Sequence, residues 1–131
     1  MTKTEQLLEQ WEQNYKKGLL SFWILLSLAE EAQYAYAMKE HIEALSLGSM
    51  SADENSIYRA LRRFVQEGLV ASEMRPSELG PDRRYFELSA KGRALLAGFI
   101  ERNLSVFNHA AVKKAMNKIR NSQKAKNKER R

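Results

Sequence analysis

Apolar residues recur every three or four positions along most of this chain, and every second position over one short stretch. Leu7, Leu8, Trp11 and Tyr15 form a narrow stripe that predicts a first helix. Thr2 and Glu5 stand at capping-box spacing at its start, and Lys16, Lys17 and then Gly18 suggest its end. Leu19 to Glu31 is apolar nearly all round, as expected of a second helix buried on several sides. A third helix is predicted over 36–47, with Tyr34, Ala37, Met38, Ile42 and Leu45 in period and Gly48 as its stop. A fourth runs over 51–67. Ser51-Ala52-Asp53-Glu54 repeats the capping-box spacing, Ile57, Leu61, Phe64 and Val65 are its inward face, and Gly68 ends it.

The period then changes to two. Leu69 to Arg75 and Arg83 to Leu88 read as the strands of a hairpin, with Phe86 and Leu88 facing inward. Both prolines and Gly80 fall in Pro76 to Asp82, which predicts a long exposed turn. After Ser89, a plausible N-cap, Leu96, Ile100, Leu104, Phe107, Ala111, Ala115 and Ile119 keep a spacing of three or four. This predicts one amphipathic helix of about 30 residues, about 45 Å long at 1.5 Å per residue. Such a length overshoots a small domain, so part of the stripe is expected to pack on a second copy. From Asn121 the period is lost, and a frayed tail is expected.

Helices followed by a hairpin with an arginine-flanked tip make a winged helix-turn-helix, a mainly α fold with a small β-hairpin (α+β). The expected division is 1–88 for a DNA-binding domain with its N-terminal helix, 89–120 for a dimerisation helix and 121–131 for a flexible basic tail. The 131 residues suit one hydrophobic core.

Charge refines this picture because it is unevenly placed. The chain carries 22 Lys and Arg against 16 Asp and Glu. From Lys113 onward nine basic residues face one acid, +8, so the first 112 residues carry 13 − 15 = −2. Basicity as a whole therefore says little about the domain, and the location of its arginines says more. Six of those 13 basic residues lie in the fourth helix and hairpin, and all six are arginine: Arg59, Arg62, Arg63, Arg75, Arg83 and Arg84. Guanidinium suits bidentate contacts to phosphate and guanine. With Asn55 and Ser56 on the same outward face, double-stranded DNA is the expected partner.

Other chemistry is poorly supplied. There is no Cys, which excludes disulfides, thiol nucleophiles and sulfur-ligated zinc, and no metal or cofactor is implied. His41 and His109 fall on separate helices without a ligand or triad pattern, and no phosphate-binding glycine loop is present. An enzyme is not expected. The longest apolar run, Leu19 to Ala29, is half of what a membrane span needs, and the polar N-terminus is unlike a signal peptide, so a cytoplasmic protein is expected. The alternative to a DNA reader is a winged helix that docks a protein, with the basic tail as an accessory.

Two segments add a resemblance. Ser56-Ile57-Tyr58-Arg59-Ala60-Leu61-Arg62-Arg63-Phe64-Val65-Gln66-Glu67-Gly68-Leu69-Val70 resembles the recognition-helix signature of PadR-like transcriptional regulators. Arg83 to Arg93, with Tyr85, Phe86, Leu88 and Lys91-Gly92, resembles that family's wing strand and the start of its C-terminal helix. The family's Gly-Tyr motif stands here as Ala35-Tyr36, and the likeness extends over about Leu19 to Ile100. The resemblance implies a homodimer, DNA binding through the 51–67 helix and the wing, and repression relieved by a small-molecule effector. It implies a phosphate contact for Tyr58, wing contacts for Arg83 and Arg84, and base readout around Asn55, Ser56 and Arg59. Trp11, Tyr15, Trp23, Phe99 and Phe107 are the candidates to line an effector cavity at the dimer interface. Plain dimer packing is the other reading of the same side chains. Multidrug-binding members place a Trp midway along the last helix, and the corresponding Ile100-Glu101-Arg102-Asn103-Leu104 has none.

Overall fold

The computed structural model describes residues 1–129. Helix α1 spans Lys3–Ser27 and opens on the predicted capping box: Thr2 Oγ1 accepts from the Glu5 amide at 3.1 Å, and the Thr2 amide donates to Glu5 Oε2 at 2.9 Å. It does not stop at Gly18, so the two expected N-terminal helices are one. A glycine ends a helix when it supplies a left-handed residue. Gly18 keeps ordinary helical geometry, and the apolar residues that follow carry the helix on to bury Ile24 and Leu25.

Helix α2 (Ala35–Leu45) and helix α3 (Glu54–Gln66) follow. Gly48 and Gly68, both at φ +77°, close these helices: the Gly48 amide donates to Glu43 O and the Leu69 amide to Phe64 O. The α3 cap is Asp53 rather than Ser51, so the helix starts two residues later than the capping-box spacing suggests. Ile57, Ala60, Leu61 and Phe64 turn inward to meet Ile24, Leu25, Leu28, Met38, Ile42 and Phe86 in the core. Val65, expected among them, is 37% exposed and faces the hairpin side instead.

Strands β1 (Val70–Ser77) and β2 (Gly80–Leu88) pair antiparallel, Val70 with Leu88 through Arg75 with Arg83. The long turn expected over Pro76 to Asp82 is mostly strand. Ser77 pairs with Gly80, and a register shift sets Pro76 on β1 against Pro81 and Asp82 on β2, where neither proline has an amide hydrogen to give the ladder. Phe86 and Leu88 are buried, as alternation predicts. The wing is fastened at its base by Gln33, whose backbone exchanges two hydrogen bonds with Phe86, at 3.0 and 2.8 Å. The buried Gln33 amide group also donates to Ser27 O and meets His41 Nδ1 at 2.9 Å, linking the end of α1, α2 and the wing.

Helix α4 (Ala90–Phe99) crosses so close to the wing base that a side chain at Gly92 would collide with Leu69 O. Ser89 caps it, accepting from the Gly92 amide at 3.0 Å while its hydroxyl donates to Gly68 O at 2.7 Å.

The chain divides into two packed units, Met1–Leu96 and a second beginning at Ala97. The second is not the single long helix that the apolar spacing suggests. A π turn (Ile100–Leu104) and a 3-10 turn (Ser105–Asn108) intervene, His109 is extended, and helix α5 runs over Ala110–Glu129. Asn103 Nδ2 donates to Phe99 O at 3.2 Å, a side chain competing for the helix's own carbonyls. The stretch expected to fray from Asn121 continues α5 to Glu129; Arg130 and Arg131 lie outside the described residues. No helix among the described residues is long and apolar enough to cross a membrane.

Candidate nucleic-acid interface

The site is built on α3, whose winding sorts its side chains into sectors. At 100° per residue, Asn55, Arg59, Arg62 and Gln66 fall within about 60° of one another, diametrically opposite the buried Ile57, Ala60, Leu61 and Phe64. All four are exposed. The stripe thus consists of amide and guanidinium groups, which can hydrogen-bond base edges and phosphates alike.

Tyr58 and Val65 occupy the sector toward the wing. The Tyr58 ring meets Phe86 edge-on at 5.9 Å and the residue stays 38% exposed. Between α3 and the wing lies a groove of about 500 Å³, lined by Tyr58, Arg62, Val65, Gln66, Ser72 and Arg84, with Phe86 at its floor. Arg84 is steadied there by Ser72, whose hydroxyl accepts from it at 3.2 Å. Tyr58, Arg62 and Arg84 are therefore brought together from α3 and β2.

Ser56 and Arg63 lie on the opposite flank and have other engagements. Asp53 accepts from the Ser56 amide at 2.8 Å and from its hydroxyl at 2.9 Å. These two hydrogen bonds, the backbone one first, hold the Asp53 carboxyl below its ordinary range, and the charge of Arg59 adds to the effect. The Ser56 hydroxyl is thus committed to the cap. Arg63 turns toward α1, reaching Ser21 Oγ at 3.5 Å, and also pairs with Glu67 at 3.7 Å. Of the two adjacent arginines, Arg62 faces the groove and Arg63 does not line it.

Arg83 and Arg84 likewise part company, because neighbours on a strand alternate in direction. Arg83 lies over the Tyr34 ring, 4.4 Å from its centre. Its cross-strand partner Arg75 lies over Tyr85 at 4.6 Å and pairs with Glu73 at 2.7 Å. The two tyrosines meet edge-on at 5.5 Å. Two like charges placed directly opposite repel; here each is held by an aromatic face. Sequence reasoning missed Tyr34 and Ser72 as supports. The alternation of β2 carried the signal for separating Arg83 from Arg84, whereas nothing local pairs Tyr34 with a residue 49 positions on.

A second groove, of about 490 Å³, runs between the start of α2, α3 and the wing, and Tyr34, Tyr36, Tyr58, Arg83 and Arg84 are among its lining residues. Tyr58 and Arg84 border both grooves, so α3 and the two sides of the wing form one continuous arginine- and tyrosine-rich surface.

The sequence profile of the "Transcriptional regulator PadR-like family" matches residues 24–98, which is 75 of the 131 residues and takes in α2, α3, the wing and most of α4. The chain belongs to the PadR-like family. This is a family of transcriptional regulators and not of enzymes. Among solved structures, a PadR family transcriptional regulator from Eggerthella lenta is similar at a TM-score of 0.67 and 23% identity, over 86% of this chain and 95% of that one. A PadR-like transcriptional regulator from Bacillus cereus is similar at 0.59 and 27% identity, over 79% and 92%. Bacillus subtilis PadR, in a crystal structure with operator DNA, is similar at 0.60 and 19% identity, over 65% of this chain and 48% of that one; the chain spans about half the length of that protein. No curated protein matches the chain. Winged-helix architecture is common to this PadR-like protein and these neighbours.

The expected effector residues fall in both packed units. Trp11 and Tyr15 stand 74% and 57% exposed on α1, beside the half-exposed Leu7 and Leu8. Trp23 is half-buried and edge-on to Phe22 at 5.1 Å. In the second unit Phe99 is half-buried and Phe107 is 49% exposed. No group of three or more His, Cys, Asp or Glu able to hold a metal ion occurs among the described residues.

Proposed function

We propose that this PadR-like regulator binds operator DNA as a homodimer through α3 and the wing, acting as a repressor in the cytoplasm. The observation that carries the reading is the outward stripe Asn55, Arg59, Arg62 and Gln66, flanked by Tyr58 and Arg84 across a groove. An α-helix enters the major groove with a face of this kind. Asn55, Arg59 and Arg62 approach base edges; Tyr58, Arg63, Arg83 and Arg84 hold the phosphates, and Ser56 serves the helix cap that aims them. The operator complex of Bacillus subtilis PadR supports this role for the fold.

Residues 1–88 make up the DNA-binding part and 89–120 the dimerising part. The exposed Leu7, Leu8, Trp11 and Tyr15 of α1, and Val106, Phe107, Met116 and Ile119 beyond α4, are apolar surface that a second copy would cover. Trp11, Tyr15, Trp23, Phe99 and Phe107 are the effector candidates, and an effector bound by them would relieve repression by changing the distance between the two α3 helices. The test is competitive binding of a labelled fragment of the gene's own upstream DNA and of a scrambled duplex. Wild type should prefer the upstream fragment, and Arg62→Ala should lose about 1–3 kcal/mol of that preference if it contacts a base. Equal affinity of wild type for both duplexes would favour a protein-docking module instead.

A further inference from the structure

We propose that α5 is a second contact with DNA phosphates, independent of sequence and separate from the reading surface on α3. Seven Lys and Arg against Glu129 give this helix +6 in 20 residues, whereas Met1–Leu96 carries 12 − 14 = −2. Every residue from Lys113 to Glu129 is exposed.

Helical winding separates charge from the apolar side. Val112, Met116 and Ile119 fall within about 60° of one another, and six of the seven cations occupy an arc of about 160° on the opposite side. The apolar stripe ends at Ile119, for Gln123 takes its next position. Beyond that point the helix has no apolar surface with which to pack on protein, yet its cations continue to Lys128. Lys113 to Lys128 is 15 residues, or about 22 Å along the axis.

The cations are also badly placed for an isolated helix. Lys114 and Lys118, Arg120 and Lys124, and Lys124 and Lys128 are like-charge pairs four residues apart, each of which disfavours helix. The one acid stands at the far end, and neither salt bridge found among the described residues falls in α5. A polyanion removes this repulsion, so binding and helix formation reinforce each other. A membrane surface fits less well, because a helix lying in lipid needs a broad apolar face with Trp, Phe or Leu, and α5 has none of these residues. DNA, with one charge per about 1.7 Å of axis, offers the denser array. The α5 helix therefore raises affinity for any duplex, and α3 supplies the preference among duplexes.

The proposal rests on the DNA-binding reading above, and one titration separates the two. Full-length wild type and the triple variant Arg120→Gln, Lys124→Gln, Lys128→Gln are titrated with upstream and scrambled duplexes between 50 and 200 mM salt. Glutamine keeps helix propensity while removing charge. The slope of log affinity against log salt should flatten by about 0.9 for each phosphate that is no longer neutralised, so by about 2.7 for each α5 helix and about 5.4 for a bound dimer of the triple variant, on both duplexes alike. The preference for upstream DNA should not change. Single Lys124→Gln and Lys128→Gln variants, each expected to flatten the slope by about 1.8 for a bound dimer, keep the test readable if the triple variant loses helix by circular dichroism. Unchanged slopes in triple and single variants overturn the proposal. So does tighter binding of wild type to polyglutamate, or to phosphatidylserine vesicles, than to scrambled duplex. Flattened slopes with no upstream preference in wild type would uphold α5 and refute the α3 reading.

Discussion

Replacing Gly92 with alanine puts a methyl group where the fold has no room. A Cβ built there lies 2.1 Å from Leu69 O and 2.7 Å from Leu88 Cδ1. A carbon settles no closer than about 3.3 Å to a carbonyl oxygen, so α4 must retreat by about 1 Å. Retreat strains the hydrogen bonds that the Ser89 amide donates to Leu69 O at 3.0 Å and the Ser89 hydroxyl donates to Gly68 O at 2.7 Å. Overpacking costs about 1–3 kcal/mol and each weakened hydrogen bond up to about 1 kcal/mol. Alanine returns about 1 kcal/mol of helix propensity, leaving about 2 kcal/mol of destabilisation at the middle of these ranges. For a unit of this size that lowers the melting temperature by about 8–16 °C. Thermal melting followed by circular dichroism measures it, with Gly98→Ala as the comparison. Gly98 lies in the same helix, and a Cβ there would meet nothing within 4 Å. Gly98→Ala should therefore be neutral or stabilising by up to about 1 kcal/mol. If Gly92→Ala melts at or above wild type, the close approach of α4 to the wing base is wrong.

Four further outcomes are expected. Arg62→Ala should weaken binding to upstream DNA more than Arg63→Ala does, because only Arg62 lines the groove, and both should melt within a few degrees of wild type; the reverse order would place the reading face nearer α1. Tyr34→Leu should weaken upstream DNA binding about 2- to 5-fold, the equivalent of an exposed cation–π contact, while Tyr34→Phe binds as wild type; equal weakening in both would assign the effect to the hydroxyl. Light scattering should give about twice 15.1 kDa, falling to a monomer in Leu8→Gln, Trp11→Gln; a wild-type monomer at micromolar concentration would remove the dimer. The Asp53 carboxyl is held low in the folded state, so its stabilising contribution is present above the unfolded value of about 3.9 and fades as pH falls through the lower folded value. Asp53→Ala should melt below wild type at pH 7, and the gap should close in acid.

Local chemistry made much of the fold legible. Thr2 with Glu5, Gly48 and Gly68 mark helix ends because each satisfies orphan backbone groups within a few residues. The same logic misled at Gly18, where the apolar residues that follow, buried at Ile24 and Leu25, outweigh the cost of one glycine in a helix. Apolar spacing carried through residues 100–109 as though helix were continuous, since a period does not register Asn103 competing for Phe99 O or an extended His109. On the reading surface, the composition of the α3 stripe was legible. The turning of Arg63 toward Ser21 and the aromatic support of Arg83 were not, since both depend on partners more than 40 residues away.

Hydroxyl-radical footprinting of the upstream DNA tests the central claim most directly, that a pair of α3 helices and their wings read an operator. Two protected patches should appear with centres about one helical turn apart, or a multiple of it, and Arg59→Ala, Arg62→Ala should erase both while leaving the protein folded. Uniform protection along the fragment, or patches that persist in the double variant, would contradict α3 as the reader.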